Sequence, residues 1–180
     1  AYVALQVLNY LAAQLGKKLN MSIWSAERDD KGKTTQTLFD GFDTITGKEV
    51  TAGAIAADKG NYLQVAAIDR TNAVDVLKTI YNSAADELQG QSVKLFMPRS
   101  VYTAYVEDYQ STVGAVPYNT QYKKTFLEGS DDLCELVPLV SKKGSKFLHL
   151  TTKGNMLYGY GAGLASENIA IEKFHELLLS

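Results

Sequence analysis

The sequence contains little cysteine, proline or histidine, with 1, 3 and 2 residues of these types among 180. The single cysteine, Cys134, excludes an internal disulfide and a zinc site built from several thiolates. Its acidic neighbours would raise the pKa of the thiol, so we expect a small buried side chain there and no nucleophile. His149 and His175 lie far apart and lack the spacing of a metal site, which favours ordinary structural roles.

The sequence also lacks a strong charge of either sign and long hydrophobic runs. Its net charge is −2, so no basic excess is available to neutralise a phosphate backbone, and general nucleic-acid binding is disfavoured. No apolar run approaches the roughly 20 residues needed to cross a bilayer, and no leader peptide is evident, so we expect a soluble protein without a membrane partner. A chain of 180 residues, 46% of them hydrophobic, can bury a stable core in one or two compact units.

The motifs that commonly carry chemistry are incomplete. The run Gly159–Gly163 lacks the lysine and hydroxyl residue of a phosphate-binding loop, and no amphipathic helix follows it. The two aspartates in each of the pairs Asp29–Asp30 and Asp131–Asp132 are adjacent in sequence. Adjacent side chains do not face each other on a helix or strand, so neither pair is placed to act as a general acid and base. Asp40 and Asp43 could flank a metal ion, but a turn between them explains the same residues. We therefore predict no catalytic, cofactor-binding or metal-binding residues, and no enzyme.

The first part of the chain predicts one long helix. Leucines recur at spacings of three and four, which indicates an amphipathic helix from Tyr2 to about Ser25. The residues of this stripe are Leu8, Leu11, Leu15 and Leu19. A charged turn follows at residues 27–33, and residues 34–64 show no strong helical period, so we expect an extended connecting segment there.

Residues 71–110 predict a helix, a strand and a second helix in close succession. Thr71 and Asn72 are natural N-cap residues for the first helix, and its apolar face is predicted to contain Val74, Leu77, Tyr81, Ala84 and Leu88. Alternating Val93, Leu95 and Met97 predict a strand, after which Pro98 can begin a new helix. The apolar face of that helix contains Val101, Tyr105 and Tyr109, although its tyrosines could also serve an interface.

A loop with little periodicity is predicted between Ser111 and Asp132, and loops of this length are commonly functional. Tyr118 and Tyr122 lie within it, and tyrosine is enriched at protein–protein interfaces. We predict that these tyrosines, with Lys123 and Lys124, contact neighbouring subunits. The lysine pairs at 17/18, 123/124 and 142/143 are otherwise explained as solvated surface. Pro138 in a predicted strand indicates a sheet edge or a bulge.

The helix–strand–helix order, with the phrase Leu95–Tyr102 (LFMPRSVY), resembles the axial domain of major capsid proteins of tailed bacteriophages, the family with the Hong Kong 97-type fold. Upstream, Leu38–Ile45 is similar to the segment that follows the capsid spine helix. Downstream, residues 136–140, 147–152, 156–160 and 168–174 resemble the strands that return to the peripheral domain. The resemblance implies an α+β fold, with a peripheral domain at 1–70 and 166–180 that carries the spine helix, and an axial domain at 71–165 made of a small sheet flanked by helices.

The resemblance implies a structural protein that self-assembles through hexamers and pentamers into the icosahedral head of a tailed phage or prophage. Such a shell encloses double-stranded DNA as contents, forms in the host cytoplasm and becomes the virion capsid, with scaffold and decoration proteins as further candidate partners. The family's N-terminal arm and E-loop are not evident before the first helix, which predicts a fragment. Two alternatives stay open: an encapsulin-type nanocompartment shell, and a small-molecule-binding or enzymatic α+β domain.

Overall fold

The computed structural model describes residues 2–119 and 124–159, and this part of the chain is α+β. Five α-helices and five short strands are joined by turns and single 3₁₀ turns. In chain order they are α1 (Tyr2–Ser25), α2 (Phe42–Thr51), α3 (Ala73–Asn82), α4 (Asp86–Gln89), β1 (Val93–Pro98), α5 (Arg99–Val113), β2 (Tyr118–Asn119), β3 (Lys124–Thr125), β4 (Cys134–Leu139) and β5 (His149–Thr151).

The long first helix is confirmed, with the bounds that the leucine spacing predicts. Gly16 does not interrupt it, and no neighbouring atom lies within 4 Å of the position that a Cβ would occupy there. Only the last turns of α1 join the rest of the described structure. Ser22, Trp24 and the following Ala26 are buried, whereas the leucines from Leu5 to Leu15 are exposed.

Helix α2 corrects the expectation of an extended segment at residues 34–64. Its start depends on a close approach to α1, because a Cβ on Gly41 would lie 2.4 Å from the carbonyl oxygen of Trp24. The Gly41 amide donates to the carbonyl of Ala26 at 2.7 Å, and Asp43 places a negative charge in the first turn. The sequence pattern does not reveal this helix, because only scattered apolar residues mark it and Gly47 lies inside it.

Helix α3 begins after Asn72, as predicted, but it ends at Asn82. Leu88, which was predicted to lie on the apolar face of the same helix, lies in the separate short helix α4. A residue distant in sequence caps the first turn of α3: the carboxylate of Asp108, in α5, accepts the backbone N–H of Val74 at 2.8 Å. Asp108 is itself buried, so this bond also ties α5 to the start of α3.

A three-stranded sheet in the order β4-β1-β5 forms the centre, with β4 parallel and β5 antiparallel to β1. The predicted strand at 93–98 is confirmed, and β4 confirms the strand expected near 136–140. Pro138 does lie on an edge strand, where its missing N–H breaks no ladder bond. β5 falls within the strand expected at 147–152, whereas residues 156–159 form no strand and residues 168–174 lie outside the described part.

The core lies between one face of the sheet and the helices α3 and α5. Val93, Leu95 and Met97 alternate along β1 and are fully buried on this face. The other buried apolar members of the cluster are Ala73, Leu77 and Tyr81 of α3, Tyr105 of α5, Leu127, and Cys134 and Leu136 of β4. The prediction of a small buried side chain at Cys134 is confirmed, and burial raises the pKa of its thiol to about 12.

The opposite face of the sheet is covered by the end of α1. Phe96 points away from the core cluster, and the ring of Trp24 packs on it with centroids 5.5 Å apart. Trp24 also packs against Phe42 of α2 at 5.2 Å and His149 of β5 at 5.4 Å. One tryptophan therefore joins α1, α2, β1 and β5.

The loop expected at 111–132 contains more structure than its sequence indicated. α5 continues to Val113, and β2 and β3 then pair antiparallel as a short hairpin, with Tyr118 opposite Thr125. A single bridge joins Phe126 to Glu135, so the end of the hairpin is held against β4. Two-residue strands carry a weak sequence pattern, which is why periodicity alone did not reveal them.

We predict that Leu95→Ala lowers the free energy of unfolding by about 2–5 kcal/mol, because the side chain is fully buried in the central strand. Leu38→Ala removes the same atoms from an exposed side chain and should change stability by less than about 0.5 kcal/mol. Urea unfolding followed by circular dichroism measures both. Equal losses in the two variants would contradict the position of the core.

Candidate assembly surface

The structure describes two of the four residues predicted to contact neighbouring subunits. Tyr118 lies in β2 and is 46% exposed. Lys124 lies in β3, with its side chain 47% exposed and its Nζ 3.0 Å from Oε2 of Glu135. Tyr122 and Lys123 lie outside the described residues. The described part of the hairpin therefore presents one aromatic ring and one paired lysine at the surface.

An open groove of about 570 Å³ lies beside this hairpin. The apolar part of its lining includes Val116, Pro117 and Tyr118, and its acidic part includes Glu128, Asp131 and Asp132. Asp131 and Asp132 both adopt left-handed backbone conformations, with φ of 50° and 58°, which aspartate tolerates better than most residues. With Val113 at the end of α5 also exposed, this corner of the molecule combines apolar side chains with negative charge.

The tyrosines of α5 anchor the segment around the groove. The hydroxyls of Tyr102 and Thr125 lie 2.7 Å apart, and the Tyr105 hydroxyl accepts the backbone N–H of Glu128 at 3.0 Å. Burial raises the pKa of Tyr105 to about 12. Tyr105 is thus a core residue and Tyr109 packs beside the core, so for these two the core interpretation is confirmed.

A charged cluster connects β1, β3 and β4. Glu135 receives hydrogen bonds from the ammonium groups of both Lys94 and Lys124. Burial alone would raise the pKa of Glu135, but these two bonds and the positive charges outweigh it and lower the pKa. Lys124 therefore has a structural bond that would have to be retained or exchanged if it met a neighbouring subunit.

A second polar cluster lies under the end of α1, and the sequence did not reveal it. Lys142 was expected at the surface, yet it is 1% exposed, and its Nζ bonds the carboxylate of Asp43 in α2. The same ammonium lies 4.0 Å from the ring centroid of Trp24 and 3.2 Å from Nδ1 of His149. Nε2 of His149 lies 2.8 Å from the hydroxyl of Thr46. The expectation of a solvated Lys142 is therefore wrong.

The contacts of His149 identify its protonation state. Because Lys142 can only donate, Nδ1 of His149 must accept, and Nε2–H then donates to Thr46. Burial, followed by the positive charge of Lys142, lowers the pKa of His149 to about 4, while Asp43 opposes the shift. Burial also lowers the pKa of Lys142, against the raising effect of Asp43. The structural role predicted for His149 fits these contacts, while His175 lies outside the described part.

Other residues considered as chemical sites are separated in the fold. Asp40 accepts the backbone N–H of Arg28 and pairs with Lys48 at 2.8 Å, whereas Asp43 bonds Lys142. Bonds from Arg28 and Lys48 lower the pKa of the Asp40 carboxyl. Of the run Gly159–Gly163, only Gly159 is described. Within residues 2–119 and 124–159, no three side chains of histidine, cysteine, aspartate or glutamate are grouped to hold a metal ion.

Helix α1 presents several exposed apolar side chains close together along one element. The sequence from Ala1 to Gly16 contains no charged residue, and Leu5, Leu11 and Leu15 are 57%, 55% and 52% exposed. Val7, Leu8 and Tyr10 are also exposed. A helix with apolar residues on most of its circumference is ordinarily covered by other protein, so this face is a candidate contact surface.

Comparison with protein-family models, with curated proteins and with solved structures finds no match to this chain. No helix in the described ranges is long and apolar enough to cross a membrane. Inference about function therefore depends on the surfaces of the chain itself: the exposed face of α1 and the corner formed by Val113, Val116 and Tyr118.

We predict that the free energy of unfolding falls as pH decreases from about 6.5 to about 4. In this range His149 is protonated in the unfolded chain but stays neutral in the folded chain, because its folded-state pKa is about 4. The loss from this residue is at most about 3 kcal/mol. His149→Gln should flatten the pH dependence of the unfolding free energy in that window, whatever its effect on stability at pH 7. Chemical unfolding at several pH values measures this, and parallel curves for the two proteins would contradict the prediction.

Proposed function

We propose that this chain is a structural subunit of a self-assembling protein shell, of the Hong Kong 97-type found in tailed phages and prophages, which encloses double-stranded DNA. The observation that carries the proposal is the uncharged, leucine-rich surface of α1. A face of this kind is unfavourable in water and is stabilised when neighbouring subunits cover it.

The order of elements supports the same proposal. The spine-helix resemblance corresponds to α1, and the helix–strand–helix phrase corresponds to α3, β1 and α5. The small sheet is flanked by helices, as the axial-domain resemblance implies. The finer assignment to peripheral and axial domains, at 1–70 with 166–180 and at 71–165, is part of this proposal.

A second exposed surface gives each subunit a further contact. Val113 ends α5, Val116 lies in the connection that follows, and Tyr118 begins β2, so all three lie on different elements from the face of α1. A closed shell requires each copy to contact several neighbours, and many modest interfaces sum over the lattice. In this proposal Tyr118 and Lys124, with Tyr122 and Lys123 from the same loop, meet adjacent subunits.

The small net charge of the chain is compatible with a protein shell that encloses DNA. A net charge of −2 lets the shell contain a polyanion without binding it tightly, since tight phosphate binding needs a clear basic excess. Glu135 also pairs with Lys94 and Lys124, which occupies two of the available cations within the subunit. Assembly in the host cytoplasm and residence in the virion follow from the proposal.

Negative-stain electron microscopy of the gene product that contains this sequence, expressed without other phage proteins, tests the proposal. We expect closed particles of uniform diameter, because the exposed apolar surfaces drive association. Tyr118→Asp should reduce particle yield at least tenfold by placing a charge at a subunit contact. Thr103→Asp introduces the same charge at an exposed position of α5 away from the hairpin and should assemble normally.

The contents of the particles separate the capsid from an encapsulin. Shells that package DNA when the phage packaging proteins are supplied support a capsid, whereas shells that always contain one co-purified enzyme support a nanocompartment. Circular dichroism of both aspartate variants tests whether they are folded. A gene product that stays monomeric at all concentrations would overturn the proposal.

A further inference from the structure

The end of α1 is attached to the sheet around one small group of charged and aromatic side chains. The ring of Trp24 packs on Phe96 of β1 and on His149 of β5. The ammonium group of Lys142 lies 4.0 Å from the centroid of the same ring and bonds Asp43 of α2. Trp24, Asp43, Lys142 and His149 together form the α1 anchor.

The α1 anchor accommodates one positive charge and has no place for a second. Nζ of Lys142 is buried and donates both to Asp43 and, at 3.2 Å, to Nδ1 of His149. A proton on Nδ1 would remove the acceptor of that bond and place an imidazolium beside the buried ammonium. Oδ1 of Asp43 lies 3.8 Å from Nδ1, so one carboxylate would have to serve two cations.

The other groups around His149 add no free negative charge. The hydroxyl of Thr46 in α2 lies 2.8 Å from Nε2, and Phe96 lies directly opposite on β1. On the same face of the sheet, Lys94 of β1 and Glu135 of β4 pair with each other. The remaining charged residues of α1 and α2, which are exposed, are Lys17, Lys18, Lys48 and Glu49. Within the described ranges, a proton on His149 is therefore not compensated.

The core on the opposite face of the sheet is built from different residues. Leu77, Leu95 and Tyr105 are fully buried there, and the core cluster of the described residues contains no member of the α1 anchor. The leucines of α1 from Leu5 to Leu15 are exposed, so the helix is attached to the described structure by its last turns. Opening of this attachment exposes less buried surface than unfolding of the core, which allows it to open first.

We infer that the α1 anchor is an acid-sensitive attachment: protonation of His149 releases the end of α1 from the sheet while the core formed by α3, α5 and β1 stays folded. Burial and the charge of Lys142 lower the pKa of His149 to about 4 in the attached state. A solvated imidazole has a pKa of about 6.5, so the released state binds a proton that the attached state does not. Between these pH values, each unit of acidification favours release by up to about tenfold. The inference concerns the single subunit, whether or not subunits form a shell.

Tryptophan fluorescence and methyl NMR together test the order of events. The chain contains one tryptophan, so its emission reports the α1 anchor without any substitution. Acidification from pH 7 to about 4 should move the emission to longer wavelength, because the indole ring becomes exposed to water. The methyl signals of Leu77 and Leu95 report the core and should keep their native positions after the emission has moved. Loss of both signals at the same pH, or no change in emission down to pH 4, would overturn the inference.

Two substitutions identify the titrating group. His149→Gln retains a neutral acceptor for Lys142 and should remove the change in emission between pH 6.5 and 4. Lys142→Met removes the buried cation, so an imidazolium can pair with Asp43. In this variant Trp24 should be better shielded at pH 5 than at pH 8, which reverses the direction of the response. The matched control is Lys143→Met, at the exposed neighbouring position, which should respond as the unmodified chain does.

The variants also define what would contradict the inference. An unchanged acid response in His149→Gln would assign the response to other groups and overturn it. A Lys142→Met protein that responds in the original direction would overturn it too, because the conflict between two cations is then absent. Should Lys142→Met fail to fold, the comparison of His149→Gln with the unmodified chain decides by itself.

Discussion

The contact on which the rest of the structure depends is the buried ammonium group of Lys142. It bonds Asp43, approaches His149 and lies over the ring of Trp24, so it connects residues from α1, α2 and β5 that are distant in sequence. A buried cation is strongly unfavourable when unpaired, so each of these partners has to be in place together. This requirement positions the end of α1 on the sheet and directs the remainder of the helix outward.

The strongly periodic elements of this fold could be predicted from the sequence, whereas the weakly periodic ones and the contacts between distant elements could not. The leucine spacing of α1 and the alternation of Val93, Leu95 and Met97 are strong periodic patterns, and both elements formed where expected. α2 has no such period, because its start depends on Gly41 lying against the backbone of Trp24. Likewise, no local pattern distinguishes Lys142 from its neighbour Lys143 as a buried residue.

The candidate surface was predicted in the same partial way. Tyr118 was predicted to contact a neighbouring subunit from the density of tyrosines in its loop. Its side chain is exposed, and the contact itself stays a prediction. Lys124 was predicted as a contact residue, but its bond to Glu135 depends on the pairing of β3. A two-residue strand has too weak a sequence pattern to predict that pairing. The exposure of the α1 leucines could not be foreseen, because an apolar stripe predicts burial and does not say whether the covering surface belongs to the same molecule.

The position of Pro138 has a consequence for the way this chain can associate. β4 forms one border of the sheet, where Phe126 already bridges to Glu135 and Pro138 has no N–H to offer an incoming strand. A strand of a second molecule therefore cannot readily pair with that border. This disfavours edge-to-edge aggregation through β4. In the proposed shell, this border of the sheet would therefore meet a neighbouring copy through side chains and not through an added strand.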